Sequence, residues 1–463
     1  MSTTTRISIS TMVMGAMVIL SSCDKSSDVT VNHSDEIASG GANMTVYDAS
    51  SQAFGQPGPG LSGADQQRNE AGDVIFESAF VAPPSPAFSG LGPIMNNNSC
   101  SSCHINDGRG RPPLSGQALA SMLFRISIPG TDPTTGGPLA APGFGTQVQT
   151  QAITAVTPEM ANVQIDYANV NVTYSDGTSV TLQSPTYTPV SPYIPLPSNF
   201  LFSPRIAPGV FGLGLLEAID DATIEALADE DDSNGDGISG KVNYVWDQQS
   251  QSAKVGRFGW KANEPDLNQQ VATAFNQDLG VTNSVFPTES SAGQSQAVAP
   301  HPIEVSDEYL QRVFDYVRTL GVPARRNVNE VTVVHGETLF GSIGCGGCHV
   351  SKVQTGVSPY FSELSNQTIR PYTDLLVHDM GPGLADNRPD FLAGGSEFRT
   401  APLWGIGLVQ VVNNYTFFLH DGRARSLEEA ILWHGGEAEK SKDAFTNLSK
   451  SDRDALIQFL QSL

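Results

Sequence analysis

Two short stretches of this chain have the residue types and spacing for covalent cofactor attachment. They are "CSSCH" at residues 100–104 and "CGGCH" at residues 345–349. Both follow the pattern C-x-x-C-H, in which two thiols on one turn reach the two vinyl groups of a porphyrin. The histidine that follows then lies under the iron as its proximal ligand. The thiols alone allow two other readings, one four-cysteine zinc site or two redox disulfides. A histidine directly after both pairs, in a chain with only 8 histidines, favours two covalently bound c-type haems. Cys100, Cys103, Cys345 and Cys348 are therefore attachment residues, with His104 and His349 as proximal iron ligands.

Each iron has a second axial side, either filled or open to chemistry. For the second haem, His378, Met380, His420 and His434 are the candidates downstream. The stretch "FLHDGRARSLEEAILWHGG" (418–436) separates two of them. Ser426 has the character of a helix cap, Glu429 completes a capping box, and Gly435–Gly436 stop the helix. Leu427, Ala430, Ile431 and His434 then share one face at i, i+3, i+4 and i+7. His434 is the polar member of an otherwise apolar stripe, and a buried imidazole needs a partner. It is the expected sixth ligand of the second haem, whereas His420 belongs to a turn. Trp433, beside it, suits packing against haem or electron relay. The first haem is less legible, because no histidine occurs between 105 and 300. Met122 and Met95 are the local alternatives to an open position there.

The elements around these motifs follow from texture. The fifth cysteine, Cys23, ends an apolar run after Arg6, and Leu20-Ser21-Ser22-Cys23 resembles a bacterial lipoprotein processing box. That implies a signal over 1–23, lipid on Cys23, attachment to a bacterial membrane on its periplasmic side, and a flexible tether over 24–45. Residues 46–329 are expected to form the first haem domain, with a β- and loop-rich insertion. "VTYSDGTSVTL" (172–182) alternates around Asp176-Gly177, as a hairpin does. Helical spacing marks 212–232 and 307–323. Between them, Asp232, Asn234, Asp236 and the carbonyl of Ile238 follow the first half of a calcium loop. Position twelve is Asn243 rather than Glu, so no EF-hand is expected. Residues 330–463 read as a C-terminal cytochrome c-like domain, closed by an amphipathic helix at 449–463. The fold class expected is mainly α, with irregular and small β insertions and two cytochrome c-like haem domains.

Several segments then point beyond local chemistry. "FRTAPLWGIG…YTFFLHDGRARSLEEAILWH" resembles the C-terminal region of the bacterial di-haem cytochrome c peroxidase superfamily. "SCSSCHINDGRGRPP", "SPRIAPGVFGLGLLEAI", "DDSNGDGISGKVN", "GRFGWKANEPDLNQQVATAF" and "LLVHDMGPGLAD" resemble the di-haem oxidoreductases labelled peroxidase or thiol oxidoreductase. That resemblance implies a haem-dependent oxidoreductase that exchanges electrons with a soluble or membrane-associated redox protein and reduces a small oxidant. A carrier with both irons six-coordinate is the alternative. Thiol chemistry is disfavoured, because haem attachment leaves no free dithiol. In the peroxidases a methionine stands where this chain has His434, and His/His ligation lowers the reduction potential. Trp404 and Gly405 also depart from the peroxidase pattern. The net charge of −23 disfavours nucleic acid as a partner, and it either simply keeps the protein soluble or favours a basic docking partner.

Overall fold

The computed structural model describes Met1 and residues 33–114, 117–297 and 303–463. Cys23 and the signal-like segment lie outside the described residues. Residues 33–463 form one compact unit. The stretch 33–45, read above as the end of a tether, is packed: Met44 is fully buried, and Thr45–Val46 pairs in parallel with Val322–Pro323.

Two helix pairs carry the architecture. Gly63–Glu77 crosses Asp307–Thr319, and Val331–Ser342 crosses Lys450–Ser462. Each first helix places a glycine at the crossing. A Cβ on Gly72 would lie 2.1 Å from the Arg312 carbonyl oxygen, and one on Gly336 would lie 2.0 Å from that of Ala455. Only glycine lets the backbones approach so closely. Three of these helices are capped by serine: Ser62, Ser306 and Ser449 accept from the amides of Asp65, Tyr309 and Asp452.

Between the pairs the chain turns to strand. Met122–Thr131 pairs antiparallel with Pro138–Leu139, Gln147–Val148 and Leu201–Ile206. Met160–Thr173 and Ser179–Pro192 form a long two-stranded ribbon around Asp176-Gly177, with Thr173 opposite Ser179. The hairpin expected at 172–182 is the tip of this ribbon. The tip straps onto the C-terminal part: Tyr174 donates to Glu428 at 2.6 Å, and Arg453 pairs with Asp176 at 2.7 Å.

The expectation of a mainly α fold with two cytochrome c-like haem domains is corrected by these elements. Helix accounts for 28% of the chain and strand for 20%, spread over several small sheets. Much of the strand lies in the Gly-, Pro- and Thr-rich middle segment, the β- and loop-rich insertion expected from its texture. The helical spacing at 212–232 resolves into two short helices, Leu213–Glu217 and Asp221–Glu225. The helices at Asp307–Thr319 and Lys450–Ser462 lie where expected. No helix among the described residues is long and apolar enough to cross a membrane.

Candidate functional site

The two C-x-x-C-H turns have the same local geometry. His104 donates its amide to the Cys100 carbonyl at 3.0 Å, and His349 donates to that of Cys345 at 3.0 Å. Each histidine then donates Nδ1–H to a distant carbonyl, His104 to Pro208 at 2.7 Å and His349 to Tyr372 at 2.9 Å. A carbonyl only accepts, so the proton is fixed on Nδ1 and Nε2 keeps its lone pair. Burial pushes both imidazoles down to about 4, so they are neutral near pH 7.

Two cavities open from these turns. The first, of about 230 Å³, is lined by Cys100, Cys103 and His104. The second, of about 180 Å³, is lined by Cys345, Cys348 and His349. The pairs therefore face separate cavities, which rules out one zinc ion on four sulfurs. None of the four cysteines is in a disulfide, and burial pushes the thiols of Cys100, Cys103 and Cys345 up to about 12.

Across the second cavity runs the helix Leu427–Trp433. Ser426 caps it through the Glu429 amide at 3.1 Å, and Glu429 accepts from the Arg425 amide at 2.8 Å. Leu427, Ala430, Ile431 and His434 all line the cavity. His434 ends the helix and donates Nδ1–H to the Ala430 carbonyl at 2.7 Å, so its Nε2 is also free. Across the first cavity runs Leu267–Asp278, capped the same way: Asp266 accepts from the Gln269 amide at 2.8 Å. Counted from the two caps, Leu267 matches Leu427, Val271 matches Ile431, Gln270 matches Ala430, and Ala274 matches His434. All four of the first set line the first cavity.

These two cavities, each with a C-x-x-C-H turn and a capped helix opposite, agree with what the sequence matches. Residues 33–463 match the family model described as "Di-haem oxidoreductase, putative peroxidase". The chain belongs to this di-haem oxidoreductase family. The match covers nearly the whole chain, and it assigns redox chemistry on two haems. No curated protein matches the sequence. Among solved structures, a MauG-like protein associated with microbial copper homeostasis is similar at 15% identity, over 55% of this chain and 89% of that one, with a TM-score of 0.27. Hydrazine synthase of Kuenenia stuttgartiensis is similar at 18% identity, over 35% of this chain and 57% of that one, with a TM-score of 0.23. Likenesses this distant add nothing to the assignment, which rests on the family match.

The residues present suit a carboxylate-bearing haem. Arg109 and Arg399 line both cavities, and neither guanidinium meets a carboxylate among the described residues. Arg109 donates to the Phe417 carbonyl at 3.3 Å and Arg399 to that of Gly259 at 2.9 Å. Burial lowers both to about 10. Two buried cations in a shared wall, neither in an ion pair among the described residues and only Arg399 feeling a carboxylate, that of Asp374, fit acidic groups entering from either cavity. Trp260 lies in the same wall, with its indole N–H on the Ile206 carbonyl at 2.8 Å and the Arg109 guanidinium 5.7 Å from its ring.

Other predicted residues sort clearly. His378 lines the second cavity, but both ring nitrogens are taken, Nε2 by Asp374 at 2.8 Å and Nδ1 by Glu437 at 2.7 Å. These carboxylates raise it to about 12 against the penalty of burial. His420 stacks on Phe398 with ring centroids 4.1 Å apart, and its buried Nε2 has no hydrogen-bond partner among the described residues, with the Asp421 carboxylate 3.9 Å away. Met122 lines the first cavity; Met95 does not. The side-chain oxygens of Asp232, Asn234 and Asp236 accept from the loop's own amides, at Gly237, Asp236 and Ile238. Lys440 donates to the Asp236 carbonyl at 2.7 Å. Gln270, Trp260, Arg109 and Arg399 were missed as site residues. The matching caps, D-L-N-Q-Q-V at 266–271 and S-L-E-E-A-I at 426–431, were the available signal.

Proposed function

We propose that this di-haem oxidoreductase binds both haems covalently, through Cys100 and Cys103 and through Cys345 and Cys348. His104 and His349 are the proximal ligands. His434 would be a further ligand to the second haem, and Ala274 stands in its place at the first, where no matching ligand would be offered. Bound haem supplies one-electron redox chemistry, and an open iron position supplies a place to reduce a small oxidant such as peroxide. The observation that carries the reading is the match between the two capped helices, where Ala274 stands in the place of His434. An alanine methyl cannot ligate iron. Gln270, with no partner for its side-chain amide among the described residues, is the polar group this helix offers to the first cavity.

The chain's own groups then divide the work. Burial keeps the ligating imidazoles neutral, and the backbone carbonyls fix their tautomers. Arg109 and Arg399 neutralise carboxylates in the shared wall. Electrons come from a redox protein whose docking face is basic, as the charge of −23 favours. The lipoprotein-like box supports a location on the periplasmic side of a membrane, with Cys23 as the tether.

Visible and EPR spectra of the purified holoprotein test the reading. One high-spin and one low-spin haem are expected, with haem retained on the polypeptide after denaturation. His434→Gly converts the low-spin signal to high spin. Two low-spin haems inert to peroxide would instead establish an electron carrier, with Met122 as the first candidate for the added ligand.

A further inference from the structure

The turn after His434 is held from three sides. His434 leaves its helix with ψ 138°. Gly435 is extended, with φ −151° and ψ −164°. Gly436 takes φ +55°, a conformation that favours glycine. The turn lies backbone to backbone on the strand end Asp379–Gly381. A methyl on Gly436 would sit 2.2 Å from the Asp379 carbonyl oxygen, and one on Gly381 would sit 2.7 Å from the Gly436 nitrogen.

Glu437 then closes the turn. Its Oε1 accepts from the Asp379 amide at 2.9 Å. Its Oε2 accepts from the Ser239 amide at 2.8 Å and from His378 Nδ1–H at 2.7 Å. His378 passes the connection on through Nε2–H to Asp374 at 2.8 Å, and Asp374 caps the Leu376 amide at 3.0 Å. The side chains of Asp374, His378 and Glu437 are 2%, 2% and 10% exposed. His378 also lies 3.6 Å from the sulfur of Cys348. One chain of bonds thus runs from the second C-x-x-C-H turn to the residue three places after His434.

Stability alone gives little reason for this arrangement. A buried ionic chain pays a large desolvation cost, and apolar side chains of similar volume often do as well. Its distinguishing property is directional. Charged, doubly bonded donors hold their acceptors in one geometry, and such outer contacts orient metal ligands.

We infer that Asp374, His378 and Glu437 form a positioning clamp that holds the His434 turn against the strand Val377–Asp379, and so keeps His434 seated on the second iron. The inference rests on the reading of His434 as a ligand. Asp374 and Glu437 do not line the second cavity, and His378 meets it beside the Cys348 sulfur. They act through His434 by resisting its withdrawal.

The test uses the full-length holoprotein and carbon monoxide as the probe. Carbon monoxide binds a reduced six-coordinate haem only when the protein ligand leaves, so its binding rate reports the release of His434. Glu437→Gln keeps the shape of the side chain and removes its charge. Carbon monoxide binding at the second haem is expected to accelerate about 10- to 100-fold in this variant. The spectrum of the first haem should stay as in the wild type, while the melting temperature should fall, because a buried carboxylate that accepts from three N–H donors is lost. His378→Gln, which breaks the same contact from the other side, should accelerate binding similarly. Wild-type rates in both variants, with His434→Gly still converting one haem to high spin, would overturn the clamp and leave the ligand assignment standing. An unchanged spin state in His434→Gly would overturn both.

Discussion

A neutral imidazole with one free nitrogen is what an iron ligand requires, and three histidines here obtain it in one way. His104, His349 and His434 each place Nδ1–H on a backbone carbonyl and leave Nε2 unbonded. His378 shows the opposite treatment. Two carboxylates saturate its ring and keep it charged, which makes it a structural cation and not a ligand. The sequence could not separate these fates, since carbonyl and carboxylate partners come from residues far along the chain. The C-x-x-C-H pairs were legible because their chemistry is local. At this scale Gln270 gives the sharpest prediction. Among the described residues its side-chain amide has no hydrogen-bond partner, and it lines the first cavity together with His104. Gln270→Ala should lower peroxide turnover about 10²-fold, the usual cost of removing one oriented donor. Both visible spectra should remain as in the wild type. Unchanged turnover would remove Gln270 from the chemistry.

At the scale of elements, the periodic features were legible and the paired ones were less so. Caps and apolar spacing located Asp307–Thr319, Leu427–Trp433 and Lys450–Ser462, because helix signals lie within a few residues of one another. The ribbon Met160–Thr173 with Ser179–Pro192 was recognised only at its turn. Further along, its strands are largely exposed and carry polar residues on both sides, so alternation fades. The glycine crossings were invisible, since a glycine inside a helix announces its reason only when the partner helix is known. Gly336→Ala should cost about 1–3 kcal/mol in denaturant unfolding, because the added methyl overlaps the Ala455 backbone. Gly63→Ala, with nothing within 4 Å of the new methyl, should be neutral or stabilising by up to about 1 kcal/mol. Equal effects at the two sites would show that the crossing relaxes freely.

At the scale of the whole molecule, the residues that complete each cavity come from distant parts of the chain. The first cavity needs Arg399, Trp404 and Val409, far beyond the segment that bears Cys100 and Cys103. The second needs Arg109, Ile238 and Trp260, all well before Cys345. Ile238 packs against the second turn so closely that a methyl on Gly347 would lie 2.4 Å from it. Arg325, fully buried, ties Glu36 near the start of the compact unit to Glu337 in the helix before the second turn. Each motif is legible locally, but the walls of its cavity are not local. A fragment of residues 330–463 retains the second C-x-x-C-H turn, His349, His434 and the helix pair Val331–Ser342 with Lys450–Ser462. It lacks Arg109, Ile238, Trp260 and the ribbon. Expressed with haem attachment, it should therefore fail to reproduce the low-spin spectrum of the second haem in the full chain, because solvent enters through the missing wall. A fragment with the full-length EPR signature and cooperative unfolding would show that the C-terminal part closes its own cavity, and the shared wall would then be a contact between two independent folding units.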